Sequence, residues 1–452
     1  MIKRFTRNAW FHYSVCLLLI AVISGGAGAQ TVPEPVREQL LNGLRVVFWP
    51  QPGDGNVLVK LRIHSGAAFD LAGKDGTMAL LGDALFPDPA TREYVTEQLG
   101  GKLEVSTDFD RIDVTLSGRA SEFERIIDLL RAAVVTTQLT PEIISRLRES
   151  RIKQLSETPA SAAELADRAI ATRLFGNFPY GRTPGGTLES VSKIERADLM
   201  LARERFLNAD NATLVVIGGI EKSRALRTLR QLIGPWQKSD RTVPATFRQP
   251  PPPDARVLVV NQTGTTSAEI RLAVRGFAYS DRDTAAASLL AQIARARWQT
   301  AAPDLSATFA RHEAHALPGA FVMGASAPNA SVSKALAAAQ QVLRALAQNG
   351  PTPTELEAAV NRQPSQPDSY ADRWLDIDTY KLAATTNPDL RSLTVADLQR
   401  VAVRLFKDTS VATVLVGDSE QLKASLGGSF ELLPGKPGIK TGSDPVVPTR
   451  KP

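Results

Sequence analysis

The chain has 452 residues, 43% of them hydrophobic and 22% charged, which is apolar material for two ordinary cores and excludes an intrinsically disordered protein. A formal charge of +6, spread without any Lys/Arg block interleaved with aromatics, argues against a nucleic-acid-binding protein. A single cysteine excludes a disulfide framework and a cysteine-rich metal site.

The first 29 residues predict a secretory signal peptide. Lys3, Arg4 and Arg7 form a basic start, Val15 to Ile23 an uninterrupted apolar run, and Ala27-Gly28-Ala29 a small-residue cleavage site. The run is far short of the roughly 20 residues that cross a bilayer, so no membrane attachment is expected after cleavage. A mitochondrial presequence would be amphipathic instead. The expected destination is a Gram-negative periplasm. Cys16 lies inside this segment, and cleavage leaves 50 basic against 47 acidic residues.

From there Val57, Val59, Leu61 and Ile63 alternate with Leu58, Lys60, Arg62 and His64, which predicts a half-buried strand with one mainly polar face. Leu103 to Ser117 reads as a hairpin. Ser121 with Glu124 has the spacing of a capping box before Phe123, Ile126, Ile127, Leu130 and Val134, an amphipathic helix, and Thr140-Pro141 opens another. Arg241 to Pro253 (RTVPATFRQPPPP) can continue neither a helix nor a central strand and reads as a linker.

The segments on either side of this linker repeat. Ala197-Asp198-Leu199, Arg205-Phe206-Leu207 and Ala212-Thr213-Leu214-Val215 recur as Ala396-Asp397-Leu398, Arg404-Leu405-Phe406 and Ala412-Thr413-Val414-Leu415, offset by 199 or 200 residues. Val57 to Gly66 leads into Gly76 to Phe86 as Ala268 to Gly276 leads into Thr284 to Ile293. Matches in one order predict a duplicated domain. The expected architecture is α+β: two homologous tandem domains, residues 30–238 and 257–433, each a largely antiparallel or mixed sheet packed with helices. Residues 239–256 would be the linker and 434–452 an unstructured tail.

Leu41-Asn42-Gly43-Leu44-Arg45-Val46, the helix GTMALLGDALF from Gly76 to Phe86, Leu99-Gly100-Gly101-Lys102-Leu103, and Phe178-Pro179-Tyr180-Gly181-Arg182 with Gly186 to Val191 together resemble the pitrilysin/insulinase and mitochondrial processing peptidase family of zinc metallopeptidases. The resemblance covers roughly Leu40 to Gly428 and is weaker in the second half. It implies two α+β domains facing each other like half a clamshell, often closed by a second such chain around a peptide chamber.

That family's chemistry uses H-x-x-E-H on a helix, where residues i and i+4 share a face, so that two imidazoles hold one zinc ion beside a glutamate that activates water. Set against GTMALLGDALF, the histidine positions fall on Ala79 and Asp83 and the glutamate position on Gly82. The family's distal glutamate ligand falls near Gln154 or Leu155, with Glu157 the closest carboxylate. Alanine and glycine offer no ligand, and Asp83 alone cannot replace three. Gly82 would also cost its helix about 1 kcal/mol relative to alanine. The family's substrate-gripping arginine and tyrosine correspond to Trp298 to Ala310, which has neither; Arg295, Arg297 and Arg311 flank it and Phe309 is the nearest aromatic. His312 and His315 read as a surface or loop pair.

The expectation is therefore a peptidase-family pseudoenzyme with no catalytic residues, metal or cofactor, acting as the non-catalytic subunit of a periplasmic zinc peptidase. Its partner would be an active relative in a heterodimer, or a second copy in a homodimer, with peptides as further ligands. The alternatives are a stand-alone peptide-binding or assembly protein, and a metallopeptidase with atypical ligands built on Asp83 and a histidine.

Overall fold

The structure, a computed structural model, describes residues 35–158, 160–240, 247–362, 369–382, 390–427 and 430–433. The expected signal peptide and tail lie outside these residues, as does part of the expected linker.

In chain order the first half carries β1 (Val36–Gln39), β2 (Arg45–Pro50), β3 (Asn56–Ile63), α1 (Thr77–Asp83), α2 (Ala90–Glu97), β4 (Leu103–Thr107), β5 (Ile112–Arg119), α3 (Phe123–Val134), α4 (Pro141–Glu157), α5 (Ala162–Phe175), α6 (Leu188–Ser192), α7 (Arg196–Phe206), β6 (Ala212–Gly218) and α8 (Lys222–Leu232). The second half carries β7 (Val257–Asn261), β8 (Ser267–Arg275), α9 (Thr284–Ala301), β9 (Ser306–Glu313), β10 (Ala320–Pro328), α10 (Val332–Asn349), α11 (Pro353–Asn361), α12 (Ser369–Thr379), α13 (Val395–Phe406), β11 (Ala412–Gly417), α14 (Ser419–Leu426) and β12 (Phe430–Leu433).

The strands form two mixed sheets, β1-β2-β6-β3-β5-β4 and β12-β7-β11-β8-β10-β9, which share one topology over five strands and differ at the outer edge, where β1 opens its half and β12 closes its own. In each, a parallel pair (β2 with β6, β7 with β11) continues into antiparallel neighbours. This is the duplicated α+β architecture expected from the repeat. Burial refines its register: Val215 and Ile217 pack against α12, whereas Val414 and Val416 pack against α5 and Leu415 faces the other side. The equivalent strand residues are thus 199 apart. The Ala-Thr match at 200 pairs opposite faces, since a one-residue slip inverts a strand.

Local chemistry sets most helix ends. The Thr140 hydroxyl accepts from the Ile143 amide ahead of Pro141, and Ser161, Thr187, Thr352 and Thr394 each close a capping box. The box expected from Ser121 and Glu124 does not form. A 3-10 turn at Ala120–Glu122 moves the helix start to Phe123, and the Glu124 carboxylate is taken by the Arg224 guanidinium at 2.8 and 2.6 Å.

The two halves exchange helices. α5 lies on the second sheet, burying Ala166, Ile170, Leu174 and Phe175 against Ala273, Val322 and Val414, while α12 lies on the first, burying Ala371 and Leu375 against Val47 and Val215. The polar face expected for β3 is therefore the floor beneath α12 and not a solvent face. Arg62, 1% exposed, donates to Asp113 at 2.6 and 3.0 Å and to Asp376 of α12 at 2.5 Å. Lys60 pairs with Asp372 of α12. At the equivalent position of the second sheet, Arg271, 2% exposed, donates to Asp167 of α5 at 2.6 Å. Each exchanged helix thus brings an aspartate to a basic residue on the sheet it covers.

His64, at the end of β3, bonds Thr213 and Thr379 through its two ring nitrogens at 3.0 and 2.9 Å. Burial, helped by Arg45 and Arg62, holds its pKa well below the usual imidazole range. Burial likewise lowers His312 from 6.5 to about 4.

Two predictions follow from this packing. Replacing Arg62 by Met leaves Asp113 with Arg111 and Asp376 with Arg111 and Tyr279 only, and should lower the unfolding free energy by about 3 kcal/mol. Asp372→Asn, whose side chain is 42% exposed, should cost under about 1 kcal/mol, both measured by urea unfolding. For His312 the unfolded chain binds a proton near 6.5 and the folded chain only near 4, so its contribution to stability is present above pH 6.5 and lost as pH falls toward 4. The urea midpoint of His312→Asn should accordingly approach that of wild type as pH is lowered from 7 to 4.5; a constant difference contradicts this assignment.

Candidate functional site

The helix carrying the mapped motif is α1. It starts after Gly76 at φ 99°, where a β-carbon would lie 3.0 Å from the Gly185 carbonyl, so only glycine suits both the backbone and the approach. The Asp70 carboxylate accepts from the Gly76 and Met78 amides at 2.7 and 2.9 Å, satisfying amides that the first turn leaves unpaired. Burial pushes the Asp70 carboxyl up to about 7 against these donors and Arg182.

Along α1, Ala79 is buried, Gly82 is buried against the β4–β5 hairpin, and Asp83 is partly exposed. A β-carbon at Gly82 would lie 2.7 Å from Thr107 Oγ1, with Val105 and Ile112 next nearest. The glycine thus has a packing role in addition to lacking a carboxylate. Asp83 Oδ2 accepts from Arg151 Nη2 of α4 at 2.5 Å. Gln154 follows one turn later on α4 and is exposed, as is Glu157. The fold therefore brings α1 and α4 together as the mapping requires, but joins them by an ion pair. Arg151 was missed in the sequence, although its i−3 spacing from Gln154 marks it as a neighbour on one helix face.

This arrangement offers poor metal chemistry. To ligate a cation, Asp83 would have to leave Arg151 and place a second positive charge beside the guanidinium. Among the described residues no group of three or more His, Cys, Asp or Glu side chains is disposed to hold a metal ion.

Of the histidines expected as a surface or loop pair, only His315 lies in a loop, and neither is fully exposed. His312 ends β9 with Nε2 accepting from the Phe277 amide at 3.0 Å, because the strand turns its ring toward the β8 end. His315 lies in the following loop, its ring 4.4 Å from Tyr180 and its Nδ1 3.3 Å from Asp110. Tyr180, from the Phe178-Pro179-Tyr180-Gly181 segment, is 2% exposed. Its hydroxyl donates to Asp110 at 3.0 Å and accepts from the Leu317 amide at 3.0 Å, while the Ala316 amide donates to Asp110. Burial and Asp110 raise the Tyr180 hydroxyl well above its usual range. That segment thus fastens one half to the other.

In the region aligned with the substrate grip, Trp298 is fully buried with Nε1 donating to the Ala335 carbonyl at 2.9 Å, and Arg297 is paired with Glu355. Phe309 is covered by the guanidinium groups of Arg271 and Arg311 at 5.0 and 4.5 Å. These side chains are engaged in packing.

The Gly82 contact is testable by a double substitution. Gly82→Ala should change stability by under about 0.5 kcal/mol, because the gain of about 1 kcal/mol in helix propensity is offset by displacing Thr107. In a Thr107→Ala background the same change should stabilise by about 1 kcal/mol, read from chemical unfolding. Equal effects in both backgrounds would rule out the close approach.

Comparison with known proteins gives a sequence match over part of the chain and a shared fold. Residues 193–363 match the family model described as the peptidase M16 inactive domain. Human cytochrome b-c1 complex subunit 1 is 24% identical over 222 residues, 48% of this chain and 46% of its own length. An uncharacterized zinc protease of Mycobacterium leprae is 23% identical over 203 residues, 44% and 46% of the two. The chain thus matches about half the length of these curated relatives. Among solved structures, the M16 inactive domain from Pseudomonas fluorescens shares the fold with a TM-score of 0.78 over 86% of this chain and 98% of that one, at 18% identity. The periplasmic protease PqqL of Escherichia coli shares it with a TM-score of 0.66 over 91% of this chain but only 52% of that one, at 17% identity. This chain is thus similar in sequence to the peptidase M16 inactive domain over residues 193–363 and shares the fold of such structures over most of its length.

Proposed function

We propose that this chain is a non-catalytic subunit of a periplasmic M16-type zinc peptidase, pairing with an active relative to enclose a peptide chamber. The observation that carries this is the mapped site: Ala79 and Gly82 supply no ligand, and Asp83 is committed to Arg151 within a fold that is otherwise intact. The fold match to 52% of the length of PqqL, a periplasmic protease, supports reading this chain as one half of a clamshell. The basic and apolar N-terminal sequence supports export. Retaining a two-domain scaffold without the ligands fits a role in shaping and closing a partner's chamber.

Affinity purification of the tagged chain from periplasm is expected to retain an M16 relative bearing H-x-x-E-H, with zinc and chelator-sensitive peptidase activity in the complex. The isolated chain should hold less than about 0.1 zinc per molecule, as expected for a site without a ligand set. Stoichiometric zinc and turnover in the isolated chain would refute the proposal.

A further inference from the structure

Where α5 crosses the second sheet beside the end of β9, the two halves enclose a cavity of about 210 Å³ that the mapped metal site does not include. At about 30 Å³ per water this equals roughly seven waters, below the ~300 Å³ at which sites for drug-sized ligands begin. The space therefore suits one bulky side chain. Its floor is apolar, with Ile170, Leu174, Phe175, Ala273 and Val322 contributing, which disfavours a sugar or a phosphate.

The mouth is charged in an uneven way. Its two carboxylates are already engaged, Asp167 with Arg271 and Glu313 with Arg311. Of its cations, Arg168 is exposed and makes no hydrogen bond or ion pair among the described residues. Arg182 is held by Asp75 and the Asp70 carbonyl through Nη1 and by the Ala68 carbonyl through Nη2, while its Nε is buried without a partner. A buried donor left unpaired is uncommon and calls for an acceptor. An anion directly beside an apolar side chain satisfies both requirements. Aspartate or glutamate side chains lack the apolar part, and a long acyl chain exceeds the volume.

The geometry points to a site for the C-terminal residue of a peptide, with an apolar side chain such as Phe or Leu in the cavity and its α-carboxylate on Arg168 and Arg182. This goes beyond the subunit reading: it assigns a ligand to this chain itself, whichever partner it has.

The test is calorimetric titration of the full-length protein with acetyl-Ala-Ala-Phe as the free acid and as the C-terminal amide. The acid should bind at least about tenfold more tightly, a difference of about 1.4 kcal/mol. Ala171→Phe, which fills the cavity from a half-buried position on α5, should abolish binding. Arg168→Gln, on the surface, should reduce the acid to the affinity of the amide. Equal affinity for acid and amide, no binding of either, or unchanged binding by Ala171→Phe would overturn the inference. Co-purification with a zinc peptidase in the absence of peptide binding would leave the subunit reading standing and remove this one.

Discussion

Each sheet in this protein has two faces, and helices of its own half cover only one of them. On the second sheet α9, α10 and α13 pack against Leu272, Val274 and Leu415, leaving the opposite face to α5 from the first half. On the first sheet that opposite face is left to α12 from the second half. The exchange satisfies the requirement that apolar sheet surface be buried, and it does so only when both halves are present. It also explains the buried charges. Arg62 and Arg271 stand where an isolated sheet would meet water, and the arriving helices supply Asp376 and Asp167. Separating the halves would expose apolar surface and break the pairs that cross between them, so the described residues of the two halves hold together as one unit.

The mapped helix α1 buries Met78, Leu80 and Leu81 in the first half, but Asp83 at its end contributes little to that packing. The Asp83–Arg151 pair joins two partly exposed side chains, a kind of contact worth at most about 1 kcal/mol. The buried network around Arg62 involves losses several times larger. The energies therefore separate: ligands on α1 can be exchanged for Ala79, Gly82 and Asp83 without threatening the scaffold. At Gly82 the absence of a side chain admits the β4–β5 hairpin to within contact of the helix. Tyr180 shows the reverse case, a residue from a recognisable family segment whose work is to join the halves through Asp110 and the Ala316 and Leu317 amides.

Much of the architecture was legible in the sequence because it rests on local rules. Alternation marked β3, the Thr140-Pro141 start marked α4, and the repeat of α7–β6 as α13–β11 announced two related domains. Family resemblance located α1 and α4, and the fold does bring them together. The errors share one cause. The polar face of β3, the Ser121–Glu124 cap and the histidine pair were each read from neighbours in sequence, whereas α12, Arg224 and Phe277 reach them from 100 or more residues away, or across a strand.

By itself the sequence determined the α+β class and the duplication, since these depend on residue identity and short-range periodicity. Only the tertiary structure decided which half covers which sheet face, that Asp83 pairs with Arg151, and where the cavity beside β9 opens. Those outcomes depend on side chains distant in sequence meeting across the two halves, and periodicity within one segment carries no information about which distant segment will be its neighbour.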